Sequence, residues 1–281
     1  MLLRERYVDL LMASLTRSLY IDEEMHDVAI GDWDGLGILG TDADILRAAL
    51  RASNTRLSRR GGDPAKRQVG HDWPPAAETM VGVERLTDVR HCVEVVLAEG
   101  IPGDLIETGV WRGGVTILMK GIVEAWADVD SHSGRRTVWV ADSFEGIPAP
   151  DPDNYPADAG IDWSGVTPLK VGVDVVKQNF EKYGLLDDRV QFLPGWFSDT
   201  LPTAPISELA VLRLDGDLYE STIDALAALE PKVADGGFVL VDDYGAWEPC
   251  RKAVDDYRAA NDITSEIVEV DWTGVHWRVQ R

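Results

Sequence analysis

Two hydrophobic patterns alternate along the chain, and each predicts a different kind of element. Apolar residues three or four positions apart predict amphipathic helices at about residues 2–20, 42–52, 81–99 and 248–260. Between residues 104 and 243, short apolar runs end in glycine or a carboxylate, and helical segments separate several of them. This alternation predicts βαβ units and an α/β fold whose parallel sheet is buried on both faces.

Three segments depart from this alternation. Residues 265–281 have period-two character on both sides of Thr273-Gly274, which predicts an antiparallel hairpin at the edge of the sheet. Residues 51–80 carry six basic residues from Arg51 to Arg67, with Gly and Pro throughout, and predict a loop or linker, or else a lid over a ligand. Residues 142–169 hold six acidic residues, five prolines and no Lys or Arg. This insertion is either an active-site lid or an ordinary surface loop.

Composition and charge narrow the class of protein. The chain has 281 residues, of which 45% are hydrophobic and 27% are charged, as in an ordinary globular protein. Its net charge of −22 repels nucleic acid and anionic membrane surfaces, so neither is an expected partner. The sequence has no transmembrane or signal-peptide pattern, and Cys92 and Cys250 are too few for a disulfide framework. We therefore expect a cytoplasmic protein with reduced thiols.

Acidic residues stand at the ends of the predicted strands, where ligands of open α/β sheets bind. They are Glu107, Asp142, Asp215 and the pair Asp242-Asp243. The Gly-rich turn after Glu107 lacks the Gly-Lys-Ser/Thr of a P-loop, and Asp142 follows 35 residues later, not the roughly 20 typical of dinucleotide binding. The pattern better suits S-adenosylmethionine, with its amino acid part near Glu107 and Gly109 and its ribose hydroxyls donating to Asp142.

The second half of the predicted sheet contributes three carboxylates. If its two strands are neighbours, Asp215, Asp242 and Asp243 converge on one point and form an all-oxygen set, which favours Mg²⁺, Mn²⁺ or Ca²⁺ over zinc. A cation would offset the repulsion between the three charges. The alternative is that Asp217 and Asp243 cap helices and that Asp215 pairs with Arg213 or another basic residue.

Five motifs together resemble the macrocin O-methyltransferase family, whose members are metal-dependent enzymes that methylate sugar hydroxyls of glycosylated antibiotics. The motifs are ETGVWRGG, ADSFEGIP, GWFSDTLP, LRLDGDLYEST and VLVDDYG. The resemblance covers about residues 79–281. It implies a class I S-adenosylmethionine-dependent methyltransferase (Rossmann-like) sheet with a closing antiparallel hairpin. Residues 1–78 would then form an N-terminal helical extension that acts as a cap or lid.

The resemblance also implies roles for particular residues. Asp215, Asp242 and Asp243 would bind Mg²⁺, Asp217 would be the general base, and the adenine pocket would form at Trp196 and Phe197. The full set of implied cofactor residues is Thr79, Met80, Glu107, Thr108, Gly109, Asp142, Ser143, Trp196 and Phe197. The partners it implies are a glycosylated small-molecule acceptor and a second copy of the chain in a homodimer.

Other functions use the same features differently. A metal-dependent phosphoesterase could use the carboxylates, although the sequence shows no Lys or Arg cluster near them to bind phosphate. A non-catalytic nucleotide sensor or a NAD-linked dehydrogenase could share the sheet. His276 is a rival general base, but a histidine in a terminal strand is more often a packed or surface residue.

Overall fold

The computed structural model describes residues 3–27, 40–55 and 57–281, which form a central sheet between helices. Its α-helices are α1 (Leu3–Leu15), α2 (Gly40–Ala52), α3 (Pro64–Val69), α4 (Val83–Glu99), α5 (Gly114–Ala125), α6 (Val173–Lys182), α7 (Phe197–Thr200), α8 (Tyr219–Leu229) and α9 (Glu248–Ala260). Its strands are β1 (Met25–Asp27), β2 (Ser58–Arg60), β3 (Asp104–Thr108), β4 (Val138–Asp142), β5 (Val190–Pro194), β6 (Leu209–Leu214), β7 (Val233–Val241), β8 (Val268–Glu269) and β9 (Val275–Arg278).

The main sheet has seven strands in the order β5-β4-β3-β6-β7-β9-β8, while β1 and β2 pair separately as a small antiparallel ribbon. Strands β3 to β7 are parallel, and β9 and β8 close the edge as the predicted antiparallel hairpin. From β3 the chain first moves outward to β4 and β5 and then returns to β6 on the other side. This reversal opens a crevice at the carboxyl ends of β3, β4 and β6, which is where such sheets bind ligands.

Side chains from both faces of the sheet are buried, as the continuous apolar runs predict. Leu105 and Val140 join one hydrophobic cluster with α1, α4 and α5, whereas Ile106 and Ala141 join a second cluster with α8 and α9. Because successive strand residues point to opposite faces, residues 107, 213 and 215 belong to the α4/α5 side of the sheet. No described helix is long and apolar enough to span a membrane.

The N-terminal segment differs from its prediction in two places. The first helix ends at Leu15 and not near Tyr20, because Arg17 adopts a left-handed conformation with φ 57° and a 3₁₀ turn follows. The 51–80 segment, predicted as a loop or linker, contains β2 and α3. Helix α3 is capped by Asp63 and is 6 residues long, which is too short for hydrophobic periodicity to reveal it.

A buried arginine organises this segment instead of an apolar stripe. Arg67 is 2% exposed, and its guanidinium bonds to Glu24 at 2.6 Å, to Asp72 at 2.7 Å and to the carbonyl oxygen of Thr16. These partners come from three separate stretches of chain, and a buried charge is stable only when it is paired in this way. Arg67 therefore fixes the loop at residues 70–73, which borders the candidate site described below.

Candidate active site

A cavity of about 960 Å³ lies in the crevice at the carboxyl ends of the central strands. Its floor is formed by the strand-end acids, and its walls come from the turn after β3, the start of α4 and the 142–169 insertion. The predicted residues that line it are Thr79, Met80, Glu107, Gly109, Asp142, Ser143, Trp196, Phe197, Asp215, Asp217, Asp242 and Asp243. The structure thus brings almost every predicted site residue to one cavity.

Thr108 is the exception among the predicted cofactor residues. It is 1% exposed and does not line the cavity, and its hydroxyl faces the backbone carbonyl of Arg213 at 3.4 Å. Since residues 107 and 108 point to opposite faces of β3, only one of them can face the α4/α5 side. Thr108 supports the strand end, and Glu107 reaches the site.

The turn after β3 brings backbone groups of two strands close together. Gly109 has φ 85°, and a Cβ there would lie 1.7 Å from the carbonyl oxygen of Asp215, so no other residue fits without moving the backbone. Its N–H donates to the carbonyl of Ala141 at 2.8 Å, and the Asp215 N–H donates to Thr108 at 2.9 Å. These bonds hold the ends of β3, β4 and β6 in register beneath the cavity.

Glu107 is a buried acid at the end of β3. Its side chain is 1% exposed and accepts hydrogen bonds from Thr116 and, at 2.5 Å, from Arg213. Burial raises the pKa of Glu107 to about 7, while the Arg213 charge and the Thr116 bond oppose this rise. A carboxylate so placed can accept a hydrogen bond from a ligand in the cavity, provided that it stays ionised.

Asp142, at the end of β4, is held by neutral backbone donors. Its Oδ2 accepts from Val110 N–H at 2.8 Å, and its Oδ1 accepts from Phe144 N–H at 2.7 Å. Burial raises the pKa of Asp142, and these bonds to the ionised form oppose the rise. A carboxylate has about four lone-pair sites, so Asp142 keeps acceptor capacity for ligand hydroxyls.

Four aspartates converge on the opposite side of the cavity. One carboxylate oxygen from each of Asp215, Asp242 and Asp243 lies within 4.8 Å of those of the other two. Asp217 sits beside them with φ 59°, and its N–H donates to Asp243 at 3.2 Å. Asp217 lies in the turn between β6 and α8, and a left-handed conformation is uncommon for a residue other than glycine.

Two arginines partly neutralise these aspartates. Arg213 donates to Asp215 at 2.9 Å and to one oxygen of Asp242, and Arg85 donates to the other oxygen of Asp242. Arg85 also bonds to Asp271 at 2.9 Å. The pairing of Asp215 with Arg213 that the sequence left open is therefore present. Helices α8 and α9 begin after Leu218 and Trp247, so neither Asp217 nor Asp243 is their N-cap.

Negative charge exceeds positive charge in this cluster. Burial, followed by the charge of Asp242, raises the pKa of Asp215 to about 6, although 27% of its side chain is open to the cavity. Burial and the neighbouring charge of Asp215 raise the pKa of Asp217 to about 8. The pKa of Asp243 is raised well above its usual value by burial and by Asp217. Such mutual repulsion is relieved by a proton or by a cation.

The donor set fits a hard divalent cation. Asp215, Asp242 and Asp243 offer only oxygen atoms, close enough together to share one ion, and their excess charge favours a cation. Asp242 is shared with both arginines, so it is the candidate ligand that is most engaged within the protein.

Aromatic side chains form much of the cavity wall. Trp163, from the insertion, stacks edge-on against Trp247 with ring centroids 4.4 Å apart, and both rings line the cavity. On the N-terminal side His71 lies 4.6 Å from the ring of Trp272. Trp196 is 37% exposed at the start of α7. These surfaces can stack on flat or apolar parts of a small molecule.

The 142–169 insertion is anchored over this cavity at two points, in its middle and near its end. Asp158 is fully buried and accepts from the N–H groups of Tyr219 at 2.7 Å and Glu220 at 3.1 Å, which are the first donors of α8. At its far end, Trp111 donates to the carbonyl of Pro168 at 2.9 Å. The insertion thus covers the site, which favours the lid interpretation over an ordinary surface loop.

Sequence reasoning missed several of these residues, and it left His276 open as a rival base. His276 lies outside the cavity lining and bonds to Asp88 at 3.0 Å, where Cys92 is also close. Arg85 and Asp158 were not predicted, because their partners are more than 60 residues away. Arg213 had a signal in the sequence, since one arginine stands in the otherwise apolar strand LAVLRL.

The sheet order, the Gly turn and the strand-end acids define a Rossmann-like, S-adenosylmethionine-dependent O-methyltransferase. The family model described as Macrocin-O-methyltransferase (TylF) matches residues 4–279. The chain belongs to this family.

Curated relatives match about three quarters of the chain. A protein of Streptomyces olivaceus, an 8-demethyl-8-(2,3-dimethoxy-alpha-L-rhamnosyl)-tetracenomycin-C 4'-O-methyltransferase, is 54% identical over 77% of this chain and 81% of its own. The demethyldecarbamoylnovobiocin O-methyltransferase of Streptomyces niveus is 54% identical over 76% of this chain and 80% of its own. The solved structure of the O-methyltransferase NovP is 45% identical, has a TM-score of 0.82, and covers 99% of this chain and 100% of NovP.

Proposed function

We propose that this enzyme transfers the methyl group of S-adenosylmethionine to a sugar hydroxyl of a glycosylated secondary metabolite, with Mg²⁺ as a second cofactor. The observation that carries the proposal is the convergence of two kinds of acid in one cavity. Glu107 and Asp142 suit a nucleoside-linked amino acid, and the aspartate cluster suits a cation with an alcohol. Relatives from Streptomyces olivaceus and Micromonospora griseorubida are named for methylating a rhamnosyl-tetracenomycin and mycinamicin III, respectively.

The cofactor half of the cavity would hold the methyl donor and orient it. Glu107 and Gly109 would contact the amino acid part, Asp142 and Ser143 the ribose, and Trp196 and Phe197 the adenine. Thr79 and Met80 border the same space from the segment before α4. Alignment of donor and acceptor accounts for much of the acceleration of such transfers.

The acidic half prepares the acceptor. Asp215, Asp242 and Asp243 would hold Mg²⁺, which supplies Lewis acidity that makes a nearby hydroxyl easier to deprotonate. Asp217 stands beside them in the cavity lining and would take the hydroxyl proton as the methyl group is transferred. Burial among carboxylates raises the pKa of Asp217, so its ionised form is a stronger base than an exposed aspartate, and a cation at the neighbouring carboxylates would favour that ionised form.

The described residues give the phosphoesterase alternative no phosphate-binding group. Arg85 is the one arginine or lysine that they contribute to the cavity lining, and it is already paired with Asp242 and Asp271. A phosphate would also face four aspartates of like charge.

Methylation of a rhamnosylated acceptor with S-adenosylmethionine tests the proposal. We expect turnover with Mg²⁺, a loss of at least about tenfold in excess EDTA with recovery on adding Mg²⁺, and a similar loss in Asp215→Asn. Undiminished turnover in EDTA and in the variant would exclude the metal role. Mass spectrometry of the product locates the methyl group and separates a sugar hydroxyl from one on the aglycone.

We also propose a homodimer in which residues 1–78 cap the methyltransferase unit. Leu3 is 84% exposed and Leu10 is 58% exposed on α1, so the helix presents apolar surface away from its own core. Light scattering gives the mass in solution. A mass equal to one chain, in wild type at micromolar concentration, would contradict the dimer.

A further inference from the structure

A single guanidinium joins the two halves of the site. Arg213 projects from the middle strand β6, is 2% exposed, and binds acids from three neighbouring strands. Its Nη1 donates to Glu107 at 2.5 Å and to Asp215 at 2.9 Å, and its Nη2 donates to Asp242. One positive charge is therefore shared between a proposed cofactor residue and two proposed metal ligands.

We propose that Arg213 is a positioning residue that couples the two halves, so that Mg²⁺ binding raises the affinity for the cofactor, and cofactor binding raises the affinity for Mg²⁺. This inference rests on the proposed function, because it takes the aspartates as the metal site and Glu107 as a cofactor contact. It goes beyond that function by assigning communication between the two to one side chain.

The direction of the coupling follows from how the charge is shared. When a cation neutralises Asp215 and Asp242, the attraction between these carboxylates and Arg213 weakens. The guanidinium then interacts more strongly with Glu107. Buried Glu107 needs that charge, because burial raises its pKa to about 7. An ionised Glu107 is a stronger acceptor for the donors of the cofactor. Equilibrium coupling is reciprocal, so the cofactor must strengthen Mg²⁺ binding by the same factor.

The shape of the side chain matters as much as its charge. A guanidinium presents several N–H donors in a rigid plane, whereas a lysine ammonium is a compact charge on a flexible stem. Lysine at this position would keep the buried charge compensated but could not hold Glu107 and Asp242 in one fixed geometry. Arg213→Lys therefore removes the link and leaves the net charge of the site unchanged.

Arg136 offers a matched control. It is also 2% exposed, and it donates to Asp130 at 2.8 Å and to the carbonyl of Gly103 at 2.6 Å. Gly103 precedes β3, so this second buried guanidinium lies at the end of the sheet opposite the cavity. Arg136→Lys reports the general cost of losing a buried arginine.

Calorimetric titration of S-adenosylhomocysteine, with Mg²⁺ or with EDTA, measures the coupling without turnover. We expect Mg²⁺ to tighten binding about fivefold or more in wild type and in Arg136→Lys, and by less than about twofold in Arg213→Lys. Equal affinities in wild type, or coupling that persists in Arg213→Lys, would overturn the proposal.

Two further measurements separate the causes of a negative result. Titration of Mg²⁺ alone shows whether the metal binds. Absence of Mg²⁺ binding would refute the metal site. Mg²⁺ binding that leaves the cofactor affinity unchanged would refute only the coupling. If circular dichroism shows that Arg213→Lys is unfolded, Glu107→Gln breaks the same link from the cofactor side. We then expect weaker cofactor binding that is insensitive to Mg²⁺, and wild-type coupling in this variant would overturn the proposal.

Discussion

The two halves of the cavity both place acids at strand ends, but the protein balances their charge to different extents. In the cofactor half, Asp142 is held by neutral backbone donors and Glu107 by a hydroxyl and one arginine. In the other half, four aspartates share two arginines. Burial raises pKa values in both halves, and in this half the neighbouring carboxylates raise those of Asp215, Asp217 and Asp243 further. Both acids of the first half thus have hydrogen-bond donors within the protein, whereas the second half leaves more negative charge for a cation or a proton to neutralise.

This difference predicts that the acidic half carries the chemistry and the cofactor half carries the binding. Asp217→Asn keeps the shape of the side chain but cannot take a proton. We expect the methylation rate to fall by about 10²- to 10⁴-fold, the usual contribution of a general base, while the affinity for S-adenosylhomocysteine changes little. Single-turnover kinetics and calorimetry measure the two quantities.

Asp224 provides the control for that variant. It lines the same cavity from α8, and burial raises its pKa, but it lies outside the aspartate cluster. Asp224→Asn should leave the rate within about threefold of wild type, since no transition-state charge develops beside it. An equal loss of rate in both variants would remove the special role of Asp217.

The complementary change in the cofactor half should affect binding first. Asp142→Asn replaces a charged acceptor of ribose hydroxyls by a neutral one, and a hydrogen bond to a charged group contributes about 1.5–3 kcal/mol. We therefore expect the affinity for S-adenosylhomocysteine to fall by about 10- to 100-fold, with Mg²⁺ binding retained.

Asp151 serves as the reference for Asp142, because it lines the cavity from the insertion and its carboxylate accepts hydrogen bonds from Asn154 in its own turn. Asp151→Asn should leave cofactor affinity unchanged in the same titration. If Asp142→Asn binds the cofactor as tightly as Asp151→Asn does, ribose recognition lies elsewhere.

The insertion connects the two halves, and a smaller effect is expected there. Asp158 follows the β4 strand end by 16 residues and accepts the first N–H groups of α8, which begins just after Asp217. Asp158→Ala should lower the free energy of unfolding by about 1–2 kcal/mol, as for other lost helix caps, and should raise the KM of the acceptor.

Asp162, exposed in the same insertion and bonded to Ser164, is the matched control. Equal urea midpoints for the two alanine variants would show that the cap is not what secures the insertion.

The sequence predicted the features that depend on local pattern or on topology. Helices α4 and α9 and the closing hairpin follow from periodicity and Gly turns, and the meeting of Asp215 with Asp242 follows from the order of neighbouring strands. The contacts that it could not predict are pairings between polar residues far apart in the chain. Arg85 meets Asp271 across 186 residues, and α3 depends on Arg67 rather than on apolar spacing. Such pairings leave no periodic signal, because each joins single residues that are far apart in the chain.

The smallest expected effect is a gain of stability and not a loss, and it tests the comparison of the two halves most directly. Asp243→Asn removes one charge from the crowded cluster while its amide oxygen can still accept from Asp217 N–H. In EDTA we expect the variant to be more stable than wild type by about 1 kcal/mol, since catalytic groups held against repulsion lower stability. Mg²⁺ should then stabilise wild type and not the variant, because ligands that bind the native state raise its stability by mass action.

Asp235→Asn, on the surface of the same strand, should change neither value by more than about 0.5 kcal/mol. A destabilised Asp243→Asn that still responds to Mg²⁺ would mean that this aspartate is a structural acceptor like Asp142, and the contrast between the two halves would no longer hold.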